Sequence, residues 1–183
     1  MKEVTLKIND ISVTVPEGTR ILDAARQAGF NIPTLCYYKD LTNEGSCRVC
    51  VVEVKGARSL VASCSAVVAE GMEVYTNTPK VLKSRKTTLE LLLSNHEKKC
   101  LSCVRSTNCE LQKLSNEYGC DENHYHGVKT PVNVEEYNAY LVRDNAKCIL
   151  CRRCVAMCNK VQSVGVIGAN YRGFNTTIGC AFD

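Results

Sequence analysis

No stretch of this 183-residue sequence stays apolar for the length a membrane span requires, and the opening Met1-Lys2-Glu3-Val4-Thr5 lacks the apolar core of a secretory leader. Those two absences set the expectation of a chain that works in a reducing cytoplasm and does not span a membrane. A glycine-rich phosphate loop, a nucleophile triad and a dinucleotide fingerprint are missing as well. The chain is therefore not expected to bind a nicotinamide or flavin of its own. It has no low-complexity tract and no internal repeat. Histidine occurs three times, and two of the three, His124 and His126, fall in one polar stretch that reads as solvated loop.

What is present is cysteine, thirteen residues of it. Disulfides explain such a density in small secreted chains, whereas clustered thiols in a reducing compartment hold metal. Twelve candidate ligands fall into three blocks: Cys36, Cys47, Cys50 and Cys64; His96, Cys100, Cys103 and Cys109; and Cys148, Cys151, Cys154 and Cys158. Cys120 and Cys180 are left over and read as ordinary thiols, or as substitute ligands for the third block. The formal charge of +4 counts every thiol as neutral. With thiolates bound to oxidised clusters, the three blocks contribute about −4 in total, so the assembled protein sits near zero. Arg48, Lys98, Lys99, Arg105, Arg152 and Arg153 then offset thiolate charge or face an acidic partner, and no nucleic-acid partner is expected.

The patterning predicts an α+β fold in several parts. Val4, Leu6 and Ile8 alternate with polar residues, Asn9-Asp10 turns the chain, and Ile11, Val13 and Val15 alternate again, which is a β-hairpin with one buried face. Thr19 caps a helix with Ile21, Leu22, Ala25 and Ala28 on its apolar stripe, ending at Gly29. Further strands are expected at 49–54, 60–62 and 72–75. This order predicts a β-grasp, ferredoxin-like 2Fe-2S domain over residues 1–78. A helix starting at Pro79, with Val81, Leu82, Leu89, Leu92 and Leu93 inward, delivers His96 at its end. Leu111, Leu114 and Tyr118 mark another helix behind Cys109, stopped by Gly119, so residues 79–120 form a helical 4Fe-4S domain. Residues 121–140 read as a linker. Residues 141–183 read as an incomplete bacterial-ferredoxin-like half-domain, with a helix from Arg153 to Lys160 and a hairpin through 164–167 and 174–178.

Each block carries its own chemistry. Gly45 and Ser46 give the loop before Cys47 the freedom to fold its amides toward bound sulfide, and Cys47-x2-Cys50 supplies neighbouring ligands. Ten residues separate Cys36 from Cys47, against four in plant-type ferredoxins. The expected cofactor is one 2Fe-2S cluster, with structural zinc as the competing occupant. In the second block one neutral imidazole stands beside three thiolates. That set suits a 4Fe-4S cluster of raised potential, or tetrahedral zinc. The third block is a ferredoxin run with Asn159 where proline is usual. In two-cluster ferredoxins the fourth cysteine of such a run serves the other cluster, so a further 4Fe-4S cluster here needs a fourth ligand for Cys148, Cys151 and Cys154.

The motifs Cys36-Tyr37-Tyr38, Glu44-Gly45-Ser46-Cys47-Arg48-Val49-Cys50, His96-Glu97-Lys98-Lys99-Cys100 and Cys148-Ile149-Leu150-Cys151-Arg152-Arg153-Cys154 together resemble the N-terminal iron–sulfur region of large iron-only hydrogenases, multisubunit and NAD(P)-linked. Similar regions occur in NAD-dependent formate dehydrogenases and in the large subunit of NADH:quinone oxidoreductase. The resemblance implies clusters that pass single electrons between redox partners (a flavin- or NAD-binding subunit, ferredoxin) and a catalytic diiron site in a separate domain or subunit. In the quinone oxidoreductase the third site takes its last cysteine from a distant position, whereas Cys158 follows Cys154 after three residues. The competing functions are the same module in another NAD-linked oxidoreductase and a zinc-binding interaction protein. The third block is expected to leave apolar surface uncovered around Val155, Val161 and Val164. It is also expected to be completed by a second cysteine run beyond Asp183 or on a partner chain, unless Cys158 or Cys180 closes the site itself.

Overall fold

The computed structural model describes residues 2–121, 124–131, 134–138 and 140–181. The chain separates into two compact units, Met1–Tyr37 with Asn43–Thr88, and Tyr38–Thr42 with Leu89–Asp183.

The first unit is built on strand alternation. β1 (Glu3–Ile8) and β2 (Ile11–Pro16) pair antiparallel with Val4 opposite Val15 and Leu6 opposite Val13. Asn9 and Asp10, at φ 47° and 68°, form the left-handed two-residue turn whose twist matches the strands. β3 (Val51–Val54), β4 (Val61–Ala62) and β5 (Glu73–Tyr75) complete a sheet of order β2-β1-β5-β3-β4, in which only the β1–β5 pair is parallel. These strands start or end one or two residues inside the ranges expected.

α1 (Ile21–Gln27) lays Ile21, Leu22, Ala24 and Ala25 into the core, with Val4, Leu6, Ile8, Val52 and Val74. Fully burying a side chain such as Leu22 contributes about 1.5–3 kcal/mol. The first free amides of this helix are met by backbone. Ile21 N–H donates to Ala66 O and Leu22 N–H to Ser63 O, both at 3.0 Å. Arg20 takes the N-cap position without a side-chain cap, and Thr19 Oγ1 donates back to Pro16 O at 2.6 Å. The expected threonine cap is thus a turn brace, because the following amides already have carbonyl partners.

α2 (Pro79–Asn95) begins as expected at proline, with Thr78 Oγ1 accepting from Val81 N–H at 3.3 Å. Its buried stripe is Val81, Arg85, Leu89 and Leu93, four residues apart, while Leu82 is 42% exposed. An arginine therefore occupies the inward position that the sequence reading assigned to leucine.

In the second unit, α3 (Glu110–Glu117) buries Leu111 and Leu114, and Gly119 at φ 55° turns the chain out of it. The segment read as a linker carries structure. β6 (Val134–Asn138) pairs antiparallel with β7 (Leu141–Asp144). α4 (Arg153–Ala156) runs into a π-helical turn over Met157–Val161, so the short helix expected to Lys160 widens after its first turn. The last hairpin, β8 (Gly168–Asn170) with β9 (Thr177–Gly179), pairs further along than expected. Ser163 and Gly165 hold positive φ and interrupt the apolar run, and Val161 and Val164 are 58% and 61% exposed, whereas Val155, expected to be uncovered with them, is half-buried.

Candidate iron–sulfur sites

The first block is assembled by the β-sheet. Cys50 precedes β3, Cys64 follows β4, and both belong to the hydrophobic core. Ser63 ties the two together, donating its N–H and its Oγ–H to Cys50 O at 3.2 and 2.7 Å. Gly45 at φ 66° and Arg48 at φ 59° fold the intervening loop back, and Cys47 N–H points at Cys36 Sγ at 3.5 Å. All four thiols are buried. Hydrogen bonds from Cys47 and then Cys64 bring the Cys36 thiol down to about 2, while Cys47 is pushed up by the same contact and by burial. Cys50 comes down to about 6 through Cys64, which is pushed up by Cys36 and Cys50. The sulfurs thus lie within reach of one another, with Cys36 beside Cys47 and Cys50 beside Cys64. Four converging thiols that share protons, with an amide aimed at one of them, fit two neighbouring irons.

Sequence reasoning missed the support of this loop. Arg85, only 3% exposed, reaches from α2 to donate Nη2–H to Val51 O at 2.8 Å, one residue past Cys50. The signal was there, since Arg85 stands four residues from both Val81 and Leu89.

The second block forms where α2 stops. His96 lies one residue beyond the helix, its N–H donating to Leu93 O at 3.3 Å. Burial pushes the imidazole below the usual histidine range and keeps it neutral, and its Nδ1 is buried without a hydrogen-bond partner. Cys100 opens a 3-10 turn, Cys103 Sγ accepts from Arg105 N–H at 3.4 Å, and Cys109 is the N-cap residue of α3. His96, Cys100, Cys103 and Cys109 line one cavity together with Glu97 and Arg105. An imidazole with an orphaned buried nitrogen, on a residue that lines the same cavity as three thiols, fits a metal-cluster ligand set, because an unmet buried nitrogen is otherwise costly. Cys120, read as an ordinary thiol, borders an adjoining cavity with His96, Cys100 and Cys109.

In the third block Leu150 N–H points at Cys148 Sγ at 3.4 Å, and Leu150 and Arg152 hold left-handed φ values that wrap the loop. Burial pushes the Cys148 thiol up, and its electrostatic interaction with Cys151 and Cys154 acts in the same direction. Cys158, in the π turn, is lowered by the backbone amides of Ile167, Val166 and Gly165. Cys148, Cys151 and Cys154 thus follow one another along a wrapped loop, and Cys158 turns toward the 165–167 amides. Cys180 is exposed, its carbonyl accepting from Asn170 Nδ2–H at 2.6 Å. His124 and His126 are exposed, with His124 edge-on to Tyr125.

Among the described residues no three His, Cys, Asp or Glu side chains form a group that would hold one bare ion, and no helix is long and apolar enough to cross a membrane. What all three loops share is an inward amide on a cysteine sulfur, the hydrogen bond that stabilises thiolate ligands.

Residues 1–79 match the 2Fe-2S iron-sulfur cluster binding domain family, and residues 85–124 match the NADH-ubiquinone oxidoreductase-G iron-sulfur binding region. Among curated proteins, the NADP-reducing hydrogenase subunit HndD of Solidesulfovibrio fructosivorans is 45% identical over 188 residues, covering 100% of this chain and 32% of that subunit. The NADH-ubiquinone oxidoreductase 75 kDa subunit of Reclinomonas americana is 38% identical over 175 residues, covering 96% of this chain and 25% of the subunit. The chain thus spans a third or less of the length of these two relatives. Among solved structures, a chain of an NAD+-reducing [NiFe]-hydrogenase in the H2-reduced state superposes with a TM-score of 0.89 at 29% identity, over 97% of this chain and 75% of that one. The buried thiols, the histidine site and these likenesses agree: the chain carries the iron–sulfur region common to subunits of NAD(P)-linked hydrogenases and NADH–quinone oxidoreductases.

Proposed function

We propose that this chain is the electron-conducting module of an NADP- or NAD-linked iron-only hydrogenase, with 45% identity across its whole length to a hydrogenase subunit as the observation that carries the reading. Bound clusters would supply reversible one-electron transfer. The residues' part is to hold them: Cys36, Cys47, Cys50 and Cys64 for a 2Fe-2S cluster; His96, Cys100, Cys103 and Cys109 for a 4Fe-4S cluster; and Cys148, Cys151 and Cys154 for a further 4Fe-4S cluster, with Cys158 beside them. The amides near Cys36, Cys103 and Cys148 would hydrogen-bond ligand sulfur, and the buried imidazole would offer an unpartnered nitrogen as a ligand. Electrons pass between a flavin- or NAD-binding subunit or a ferredoxin and a catalytic centre outside these residues. A cytoplasmic setting suits thiols that must stay reduced until metal is loaded.

The nickel–iron hydrogenase fold match and the ubiquinone oxidoreductase relative favour a second reading, the same module serving a different catalytic subunit. Both readings expect the same clusters and differ in the catalyst attached.

The test is anaerobic reconstitution followed by iron, labile sulfide and paramagnetic resonance measurements. The two upstream clusters give about six irons and a third lifts the count to about ten. The loaded chain should exchange electrons with low-potential dyes and should turn over neither hydrogen nor formate. Near-stoichiometric zinc without labile sulfide, or substantial hydrogen evolution by this chain alone, would overturn the proposal.

A further inference from the structure

Arg153 stands between Cys151 and Cys154 as the first residue of α4. Its Nη1–H donates to Glu110 Oε2 at 2.8 Å, and Glu110 is bonded directly to Cys109 of the second block. Its guanidinium carbon also lies 5.8 Å from the centroid of the Tyr38 ring, and Tyr38 is two residues past Cys36 of the first block. One side chain therefore touches a residue bonded to a candidate ligand of the second block while sitting inside the third. Arginine suits this, because its plane can lie over a ring while its edge donates to a carboxylate, and it keeps its charge at any accessible pH.

The side chains of Arg153 and Glu110 are 27% and 53% exposed, a setting in which ion pairs contribute little to folding. Backbone and lysine contacts already hold the same segments. Glu97 N–H donates to Ala146 O at 2.8 Å, joining the residue after His96 to the approach to Cys148. Lys160 Nζ donates to Leu41 O at 2.9 Å, and Tyr38 and Thr42 close their own small loop by exchanging backbone hydrogen bonds at 3.1 and 3.0 Å. A fixed cation placed among thiolate sites acts instead on their charge. It favours whichever oxidation state is more negative, which is the reduced one.

We propose that Arg153 is a positioning residue that electrostatically couples the second and third cluster sites and raises the reduction potential of both, with Tyr38 as the surface that holds its guanidinium in place. This rests on the electron-transfer reading above. Arg152, its exposed neighbour in a left-handed backbone conformation, carries the same charge and serves as the comparison.

The experiment is a redox titration, followed by paramagnetic resonance, of the reconstituted full chain as wild type, Arg153→Gln, Arg153→Lys, Arg152→Gln and Tyr38→Leu. In Arg153→Gln the histidine-site cluster should titrate at a more negative potential, as should the third-block cluster wherever it is loaded. Arg153→Lys should recover most of the potential. Arg152→Gln should shift it less, Tyr38→Leu should fall between, and the unfolding midpoint should stay near wild type in all. Equal shifts in Arg153→Gln and Arg152→Gln, no shift in either, or cluster loss in proportion to a lowered unfolding midpoint would overturn the coupling role. Failure of the electron-transfer reading itself shows separately, as zinc in place of iron in the wild-type chain.

Discussion

Replacing Arg85 by methionine tests whether a buried cation holds the 2Fe-2S ligand loop. Arg85 is almost wholly buried on the inner stripe of α2, and its Nη2–H donates to Val51 O at 2.8 Å. Methionine keeps an unbranched stem of similar reach and packs against Val81 and Leu89, so the cavity of a large-to-small change is avoided. What is lost is a charge-assisted hydrogen bond, worth about 1.5–3 kcal/mol, with the Val51 carbonyl left unmet inside the fold. Removing a buried charge returns part of its desolvation cost, so the net loss in folding free energy should be about 1–3 kcal/mol. Because Val51 directly follows Cys50, the loss should be felt at the ligand loop first. Urea unfolding of the metal-free chain should show the stability change, and the reconstituted chain should release its 2Fe-2S cluster faster while the histidine-site signal is unchanged. Arg85→Lys, which keeps a donor, should lose less. A stability change below about 0.5 kcal/mol with normal 2Fe-2S retention would refute the reasoning, since that is the range of a surface substitution.

The histidine site is tested by two changes at one position: His96→Ala should lower occupancy of the second cluster or alter its resonance spectrum, and His96→Cys should retain the cluster at a lower potential, because a thiolate replaces a neutral imidazole. Unchanged spectra and potentials in both would remove His96 from the ligand set. Leu22→Ala, at a fully buried position of α1, should cost about 2–5 kcal/mol in urea unfolding; a loss under about 1 kcal/mol would mean that the site relaxes around the change. The Lys55–Glu73 pair at 2.8 Å, which joins the residue just past β3 to β5, holds the Glu73 carboxyl below the usual range. Its contribution is present above the unfolded carboxylate pKa and fades as pH falls through the lowered folded value. A Lys55→Met chain should therefore differ from wild type near neutrality and converge with it in acid. A difference that persisted unchanged into acid would show that the charge pairing is not its cause.

Local pattern determined much of this protein. The period-2 run of Val4, Leu6 and Ile8, the Asn9-Asp10 turn and the helix start at Pro79 need only neighbours a few residues away, and the structure has them where the pattern puts them. The candidate ligand blocks could be proposed for a similar reason, since a loop that wraps a cluster places pairs such as Cys47 and Cys50 close together in sequence. Pairing across distance was not legible. Thr19 lost its expected cap role because Ser63 and Ala66, more than forty residues away, already meet the helix amides. Leu82 faces outward and Arg85 inward because a distant carbonyl, Val51 O, waits in the core. The strands at 134–138 and 141–144 arise from a segment whose polarity hides a hairpin. The last hairpin slides along the chain because Ser163 and Gly165 adopt left-handed geometry before it. Residue type and spacing thus determined which groups are candidates to hold a cluster, by chemistry that acts within each loop. Only tertiary structure decided which cations sit beside them, because the placement of Arg85 and Arg153 depends on partners that the chain brings near by folding.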